Sequence, residues 1–476
     1  MLTRTTADGT FEEALDAYLD AKMDEIIGDI ATLVAIPSVE DTDHAAPAAP
    51  FGPGPARALA AALDIAQRLG LAPVNGEGYV GFADLPAGRE PAEGPRKTIG
   101  IIGHVDVVAP GPGWAFEAWN VTRHEGYLVG RGVLDDKGPL MVALHALHFL
   151  HELGKQVPEE ALPYDTRVIF GANEETSMED VAYYREHFED PDFLFTPDAD
   201  FPVGYGEKGL FQGWLVRRPI LPGEGGLVAI AGGAAMNAVP GQAGAQIRGY
   251  SPVVVVGQSA HAAKPYGGVS AIVKLIDTLV DGPYATTLSS AEIEFLTMCA
   301  RVTRYFDGRS IELESKDDMF GPLTLVGGTI GMEPAPEAGE EAFRLVQGID
   351  IRFPTSITSE HIRRRLADEA ASAGATLREG KLEEPYLTAV DGPELGALLS
   401  AYRSVSGDDE AEPFTMGGGT YARRFPNAVS FGMERPWIEE PAWVGSMHGP
   451  DEAVSIEALK LAFKVYATAL RNLAQL

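Results

Sequence analysis

A chain of 476 residues, 45% hydrophobic and 22% charged, has apolar material for two or three folded domains. Its net charge of −32, from 69 acidic and 37 basic residues, disfavours nucleic acid and anionic membranes as partners. A single cysteine, Cys299, excludes an internal disulfide and a multi-cysteine zinc site, so any metal must be held by His, Asp and Glu. The start of the sequence lacks the basic-then-apolar pattern of a secretory signal, and no apolar run is long enough to span a bilayer. A cytoplasmic location is expected.

Leu15, Leu19, Met23, Ile26, Ile27, Ile30, Leu33 and Val34 recur at helical spacing, which predicts a helix over 11–34, ended by Pro37. An Ala/Pro/Gly-rich loop covers 42–55 and a second helix covers 56–69. Asn75-Gly76 marks a turn before a short strand at 79–83. The stretch 97–139 then carries two apolar runs, read as strands, each followed by acidic groups. The first is followed by His104 and Asp106, the second by Asp135 and Asp136. A helix is expected from about 138 to 153. Strands over 166–172 and 192–195 end in Asn173-Glu174-Glu175 and in Thr196-Pro197-Asp198. This alternation predicts an α/β domain, whose functional groups cluster beyond the strand carboxyl ends.

From about Gly206 the texture changes. Residues 229–240 are small, 253–256 and 349–353 read as strands, and 269–279 and 360–373 read as helices. After about Lys381 the pattern of the first domain returns, with a helix at 394–402, a strand at 429–432 and a closing helix at 456–473. The expected fold is therefore a catalytic α/β domain with a mixed, mostly parallel sheet flanked by helices, interrupted by an inserted α+β lid domain. The expected boundaries are 1–206 and 382–476 for the first domain and 207–381 for the insertion.

His104-Val105-Asp106 alone reads equally well as a capped strand end. Two residues apart on extended chain, however, both side chains leave the same side of the backbone. Asp135 and Asp136 repel each other, so they need a cation or a proton. They read either as a solvated turn or as a carboxylate that bridges two metals. Glu174-Glu175 read as a solvated pair, or as one ligand beside one base. His261, Arg352 and the run Gly417-Gly418-Gly419 have equally ordinary structural readings, as a hinge, a salt bridge and a flexible turn.

The motifs GHVDVV, GRGVLDDKGP, FGANEETS, FTPDADFPVGYGEKG, GGAAMNAVP, GQSAHAAKP, DIRFP, TMGGGTYAR and SMHGPDE follow one another in fixed order over nearly the whole chain. In that order the sequence resembles the dinuclear zinc exopeptidases of aminoacylase and carboxypeptidase type, and within them the peptidase V-like, carnosinase-like dipeptidases. The resemblance implies two divalent metal ions, with zinc expected ahead of manganese or cobalt. It implies Asp135 as the bridge, Glu175 and His448 completing one site, and His104 and Asp198 the other. Asp106 would orient the imidazole of His104, and Glu174 would be the general base. His261 would stabilise the developing oxyanion and Asn237 would bind substrate. Arg352, with Gly417, Gly418, Gly419 and Thr420, would hold the substrate's terminal carboxylate.

The implied activity is metal-dependent hydrolysis of dipeptides with a free C-terminal carboxylate. The alternatives are an N-acyl amino acid deacylase of the same family and a non-catalytic binding protein that keeps the fold. A small peptide is the expected partner. A working monomer is expected, because the region 207–381 is long enough for His261 and Asn237 to serve their own chain, with a homodimer as the alternative.

Overall fold

The computed structural model describes residues 10–221 and 223–476. The chain forms two compact units. The first comprises residues through Tyr205 together with Thr388–Phe414 and Thr420–Leu476; the second comprises Gly206–Leu387 with Thr415–Gly419.

In the first unit, the opening helix Phe11–Val34 starts at a capping box, where Thr10 accepts from the Glu13 N–H and the Glu13 side chain returns the bond. It packs with Lys137–Gln156 and Ile456–Leu473 through Tyr18, Phe149 and Phe463, whose rings lie 5.3–5.9 Å apart. The sheet is mixed. Strands Asp165–Gly171, Thr98–His104, Phe193–Thr196 and Ala428–Ser430 run parallel at its centre, in that order. Ala72–Gly76 and Val80–Leu85 extend one side as an antiparallel hairpin. The central strands are apolar on both faces, as strands covered by helices must be.

Two local expectations are corrected. The turn and strand expected at 75–83 are a hairpin of Ala72–Gly76 and Val80–Leu85. Its first strand is an exposed edge with Pro73 in it, so it carries no alternating signal. The second apolar run of 97–139 is not a strand leading to Asp135. Only Tyr127–Val129 is extended, and it belongs to a separate small sheet with Thr122–His124 and Ala453–Ser455. Asp135 sits instead in the loop before the helix Lys137–Gln156. The three glycines from Gly126 to Gly132 all adopt positive φ, and such backbone breaks a ladder.

The second unit is a seven-stranded antiparallel sheet in the order Val253–Val256, Gln242–Ile247, Leu227–Gly232, Thr324–Pro334, Phe343–Phe353, Gly209–Arg217, Ala375–Glu383. Helices Ala271–Asp281, Ser290–Thr303 and Ser359–Ser372 share its core, with Leu275, Phe295, Ile349 and Leu366 fully buried. Ser289 and Glu292 form a capping box, and the buried Glu292 carboxylate also accepts from the N–H groups of Gly226 and Leu227. One carboxylate thus satisfies donors of a helix start and of a strand start together.

Candidate metal centre

The centre is built at the carboxyl ends of the parallel strands of the first unit. His104 is the last residue of its strand and is fully buried. Its Nε2 lies 3.0 Å from Asp135 Oδ1 and 3.7 Å from Asp198 Oδ2. The other oxygen of Asp135, Oδ2, lies 2.9 Å from His448 Nε2, which is also 3.0 Å from Glu175 Oε2. Asp135 therefore presents one oxygen to each imidazole. His104, Asp135 and Glu175 form one group whose donor atoms lie within 4.8 Å of one another, and His104, Glu174 and Asp198 form a second.

The surroundings fix these side chains. Nδ1 of His104 meets the backbone oxygen of Asp106 at 3.0 Å and the Asp106 carboxylate at 3.6 Å. That carboxylate accepts instead from the Glu175 N–H, at 3.1 Å. Asp106 thus touches both a histidine and a glutamate of the centre. Asp136, joined to Asp135 by a cis peptide, accepts from the His104 N–H at 3.1 Å. A Cβ at Gly103 would collide with the Asp136 carboxylate, so only glycine fits before His104.

The centre is strongly acidic. Glu174 is pushed well above its ordinary range, first by burial and then by Asp198, Glu175 and Asp135. Burial and the Asp135 charge raise Asp198 to about 7. His448 rises to about 10 through its hydrogen bonds to Asp135 and Glu175. Buried carboxylates in such excess over imidazoles are stable when cations neutralise them. The donors are oxygen and imidazole nitrogen, a set that suits zinc, manganese or cobalt.

Four further residues support the centre without an obvious sequence signal. Glu452 Oε1 accepts from the N–H groups of Gly132, Leu134 and Asp135 at 2.9–3.2 Å. Its other oxygen takes Arg131, whose Nη2 donates to the Gly449 carbonyl at 3.1 Å. Tyr421 donates to Asp180, which also accepts from the Ala172 and Asn173 N–H groups and so anchors the strand end that leads to Glu174. Arg131 and Glu452 stand inside motifs already singled out, four residues from Asp135 and from His448; that spacing was the available clue.

The remaining nominated residues are distributed differently. Asn237, His261, Arg352 and Gly417–Gly419 belong to the second unit, and Thr420 to the first. Asn237 and His261 lie on adjacent chains, where the Ala262 N–H donates to the Asn237 carbonyl at 2.8 Å. His261 Nδ1 accepts from the Ala263 N–H at 3.2 Å. The neutral ring then carries its proton on Nε2, as a donor. Arg352 is held by Asp350 through Nε at 2.7 Å and Nη2 at 3.2 Å, and its Nη1 donates to the Gly417 carbonyl at 2.8 Å. Thr420 is buried and caps the short turn Tyr421–Arg424.

A strand-end cluster of imidazoles and carboxylates on a mixed α/β sheet defines a class of hydrolytic metalloproteins. The profile of peptidase family M20/M25/M40 matches residues 100–472, and the chain belongs to that family. It is a peptide-bond hydrolase. The putative dipeptidase YtjP of Bacillus subtilis (strain 168) is 30% identical, over 95% of this chain and 98% of the relative. A Beta-Ala-Xaa dipeptidase of Lactobacillus delbrueckii subsp. lactis is 29% identical, over 95% and 97%. Human carnosine dipeptidase 1 shares the fold, with a TM-score of 0.60 at 19% identity, covering 98% of this chain and 100% of that one. No described helix is long and apolar enough to cross a membrane.

Proposed function

We propose that the protein is a dipeptidase that uses two divalent cations and requires a free C-terminal carboxylate on its substrate. The observation that carries this reading is the divided carboxylate of Asp135, one oxygen facing His104 and the other His448. Two cations would be held by His104, Asp135 and Asp198 on one side and by Asp135, Glu175 and His448 on the other. When bound, they supply Lewis acidity toward water and the scissile carbonyl.

The chain's own groups do the rest. Glu174 accepts a proton from the attacking water and returns it to the leaving amine. Its burial and its acidic neighbours raise its proton affinity. Asp106 positions His104 and Glu175 together. His261, protonated on Nε2, donates to the oxyanion, and Asn237 adds a hydrogen bond to substrate. Arg352, pre-oriented by Asp350, takes the substrate carboxylate, assisted by N–H groups of Gly417–Gly419 and by Thr420. Zinc is the first expectation, and the functional unit is a monomer in the cytoplasm.

Relatives that match nearly full length are named dipeptidases, which favours this reading over an N-acyl amino acid deacylase. The test is a panel of dipeptides assayed after chelation and again after adding zinc, manganese or cobalt. Activity should vanish and return. Hydrolysis that survives complete metal removal contradicts the proposal.

A further inference from the structure

The strand Asp165–Gly171 leads through Asn173 to Glu174 and Glu175. Asn173 is fully buried, and every polar group it has is taken. Its N–H donates to Asp180 at 2.9 Å, and its carbonyl accepts from the Met178 N–H at 2.8 Å. Oδ1 accepts from the Ser177 hydroxyl at 2.5 Å and from the Glu179 N–H at 3.2 Å. Nδ2 donates to Glu40 Oε1 at 2.7 Å and to the Thr176 hydroxyl at 2.6 Å. That hydroxyl in turn donates to the same Glu40 oxygen at 3.0 Å. The Glu179 N–H can only donate, so it fixes which end of the Asn173 amide faces Glu40.

Glu40 brings in a distant segment. Two residues before it, the buried Ser38 donates through its hydroxyl to the Val105 carbonyl at 2.6 Å and accepts at its own carbonyl from the Val107 N–H at 3.2 Å. The stretch 38–40 thereby ties the chain that follows His104 to the loop of the two glutamates. That loop needs holding, because Met178 has a φ of 56°, in the left-handed region that residues with a Cβ seldom enter. The two glutamates depend on the hold unequally. Glu175 has anchors of its own: its N–H donates to Asp106 at 3.1 Å, and its Oε1 accepts from the Val108 N–H at 3.2 Å. Among the described residues, no hydrogen bond reaches the Glu174 carboxylate. Its aim is set by the backbone it stands on, directly after Asn173.

We propose that Asn173, locked to Glu40, is the positioning residue for Glu174. It aligns that carboxylate for proton transfer and leaves Glu175 to its separate anchors. A shift of about 1 Å in a reacting group costs on the order of a hundredfold in rate, so a full set of hydrogen bonds at the preceding residue has a direct use. This inference rests on the dipeptidase reading with Glu174 as base, and adds to it the groups that hold the base in place.

The experiment measures kcat, KM and bound metal with L-Ala-L-Ala on metal-loaded wild type and variants. Asn173→Asp keeps the side chain's shape but sets a carboxylate against Glu40. Its kcat should fall about tenfold to a hundredfold, with KM and metal content at wild-type level. Adding Glu40→Gln restores a donor across the same gap, so Asn173→Asp/Glu40→Gln should recover most of the lost kcat. Glu40→Gln alone exchanges a charged hydrogen bond for a neutral one and should lower kcat about fivefold at most. Glu40→Ala removes the acceptor without altering the loop, and its kcat should fall about tenfold; it carries the test if Asn173→Asp does not fold. Unchanged kcat in these variants, no recovery in the double variant, or metal lost in step with turnover overturns the inference. If wild type cleaves neither this nor any other dipeptide, the dipeptidase reading itself fails. A wild type active on dipeptides, with variants that match it, defeats the positioning role alone.

Discussion

Arg131 and Glu452 face each other as a buried ion pair, with 1% and 0% of their side chains exposed. Through them the loop of Asp135 is fastened to the loop of His448. Glu452 gathers three backbone N–H groups up to that of Asp135, while Arg131 reaches the carbonyl of Gly449, next to His448. The pair therefore sets the distance between two donors that sit more than 300 residues apart in sequence.

Removing one member of this pair should be costly twice. Arg131→Met leaves Glu452 buried and uncompensated, with a loss of about 3–5 kcal/mol in folding stability. Metal affinity should also fall about tenfold to a hundredfold, the range for groups that orient ligands. Chemical denaturation and metal titration measure the two separately. The double variant Arg131→Met/Glu452→Gln should lose less stability than the sum of the single changes.

Glu174 lies within ligand reach of His104 and Asp198, so its part as a base needs a direct discriminating test. Glu174→Gln should lower kcat about a hundredfold to ten-thousandfold while the metal content stays at the wild-type level. Parallel loss of metal and turnover would instead make Glu174 a ligand.

Arg352 should distinguish its guanidinium fork from mere positive charge. Arg352→Lys keeps the charge but loses the paired N–H geometry that Asp350 orients. The expected result is about a tenfold to hundredfold drop in kcat/KM for dipeptides. Dipeptide amides, which lack the terminal carboxylate, should be poor substrates of wild type and insensitive to the change.

Acid stability should report on Asp29. Its oxygens take Arg68 Nη2 at 2.5 and 2.6 Å and His145 Nε2 at 2.7 Å. Burial alone would raise its pKa, but the hydrogen bonds from His145 and Arg68 outweigh it and hold the carboxyl below its ordinary value. A depressed folded-state pKa stabilises fully above the unfolded value of about 3.9 and is lost as pH falls through the folded value. Asp29→Asn should be less stable than wild type by about 1–3 kcal/mol at pH 7. The gap should narrow below about pH 4, as urea unfolding across pH will read.

The sequence makes the α/β alternation legible because the central strands are continuous apolar runs, and their polar ends stand out for that reason. His104, Glu174, Glu175 and Asp198 could be nominated this way. Asp135 is nominated on a strand that the structure does not form, and His448 lies in a loop and is singled out only by its motif. Arg131 and Glu452 escape for a different reason. Each is an ordinary charged residue in sequence, and only burial against particular partners gives it meaning. The edge strand Ala72–Gly76 is illegible because an edge needs no apolar face.

The insertion of the second unit has a consequence for the timing of synthesis. His104, Asp135, Glu174, Glu175 and Asp198 all precede Gly206, whereas His448 and Glu452 follow Leu387. A ribosome-bound chain can complete the inserted unit while the peptide-cleaving centre still lacks one imidazole and its clamp. Competence therefore arrives late, after the inserted unit has been made. If His448 holds a cation as proposed, a nascent chain would stay inert toward the peptides around it until that residue is translated.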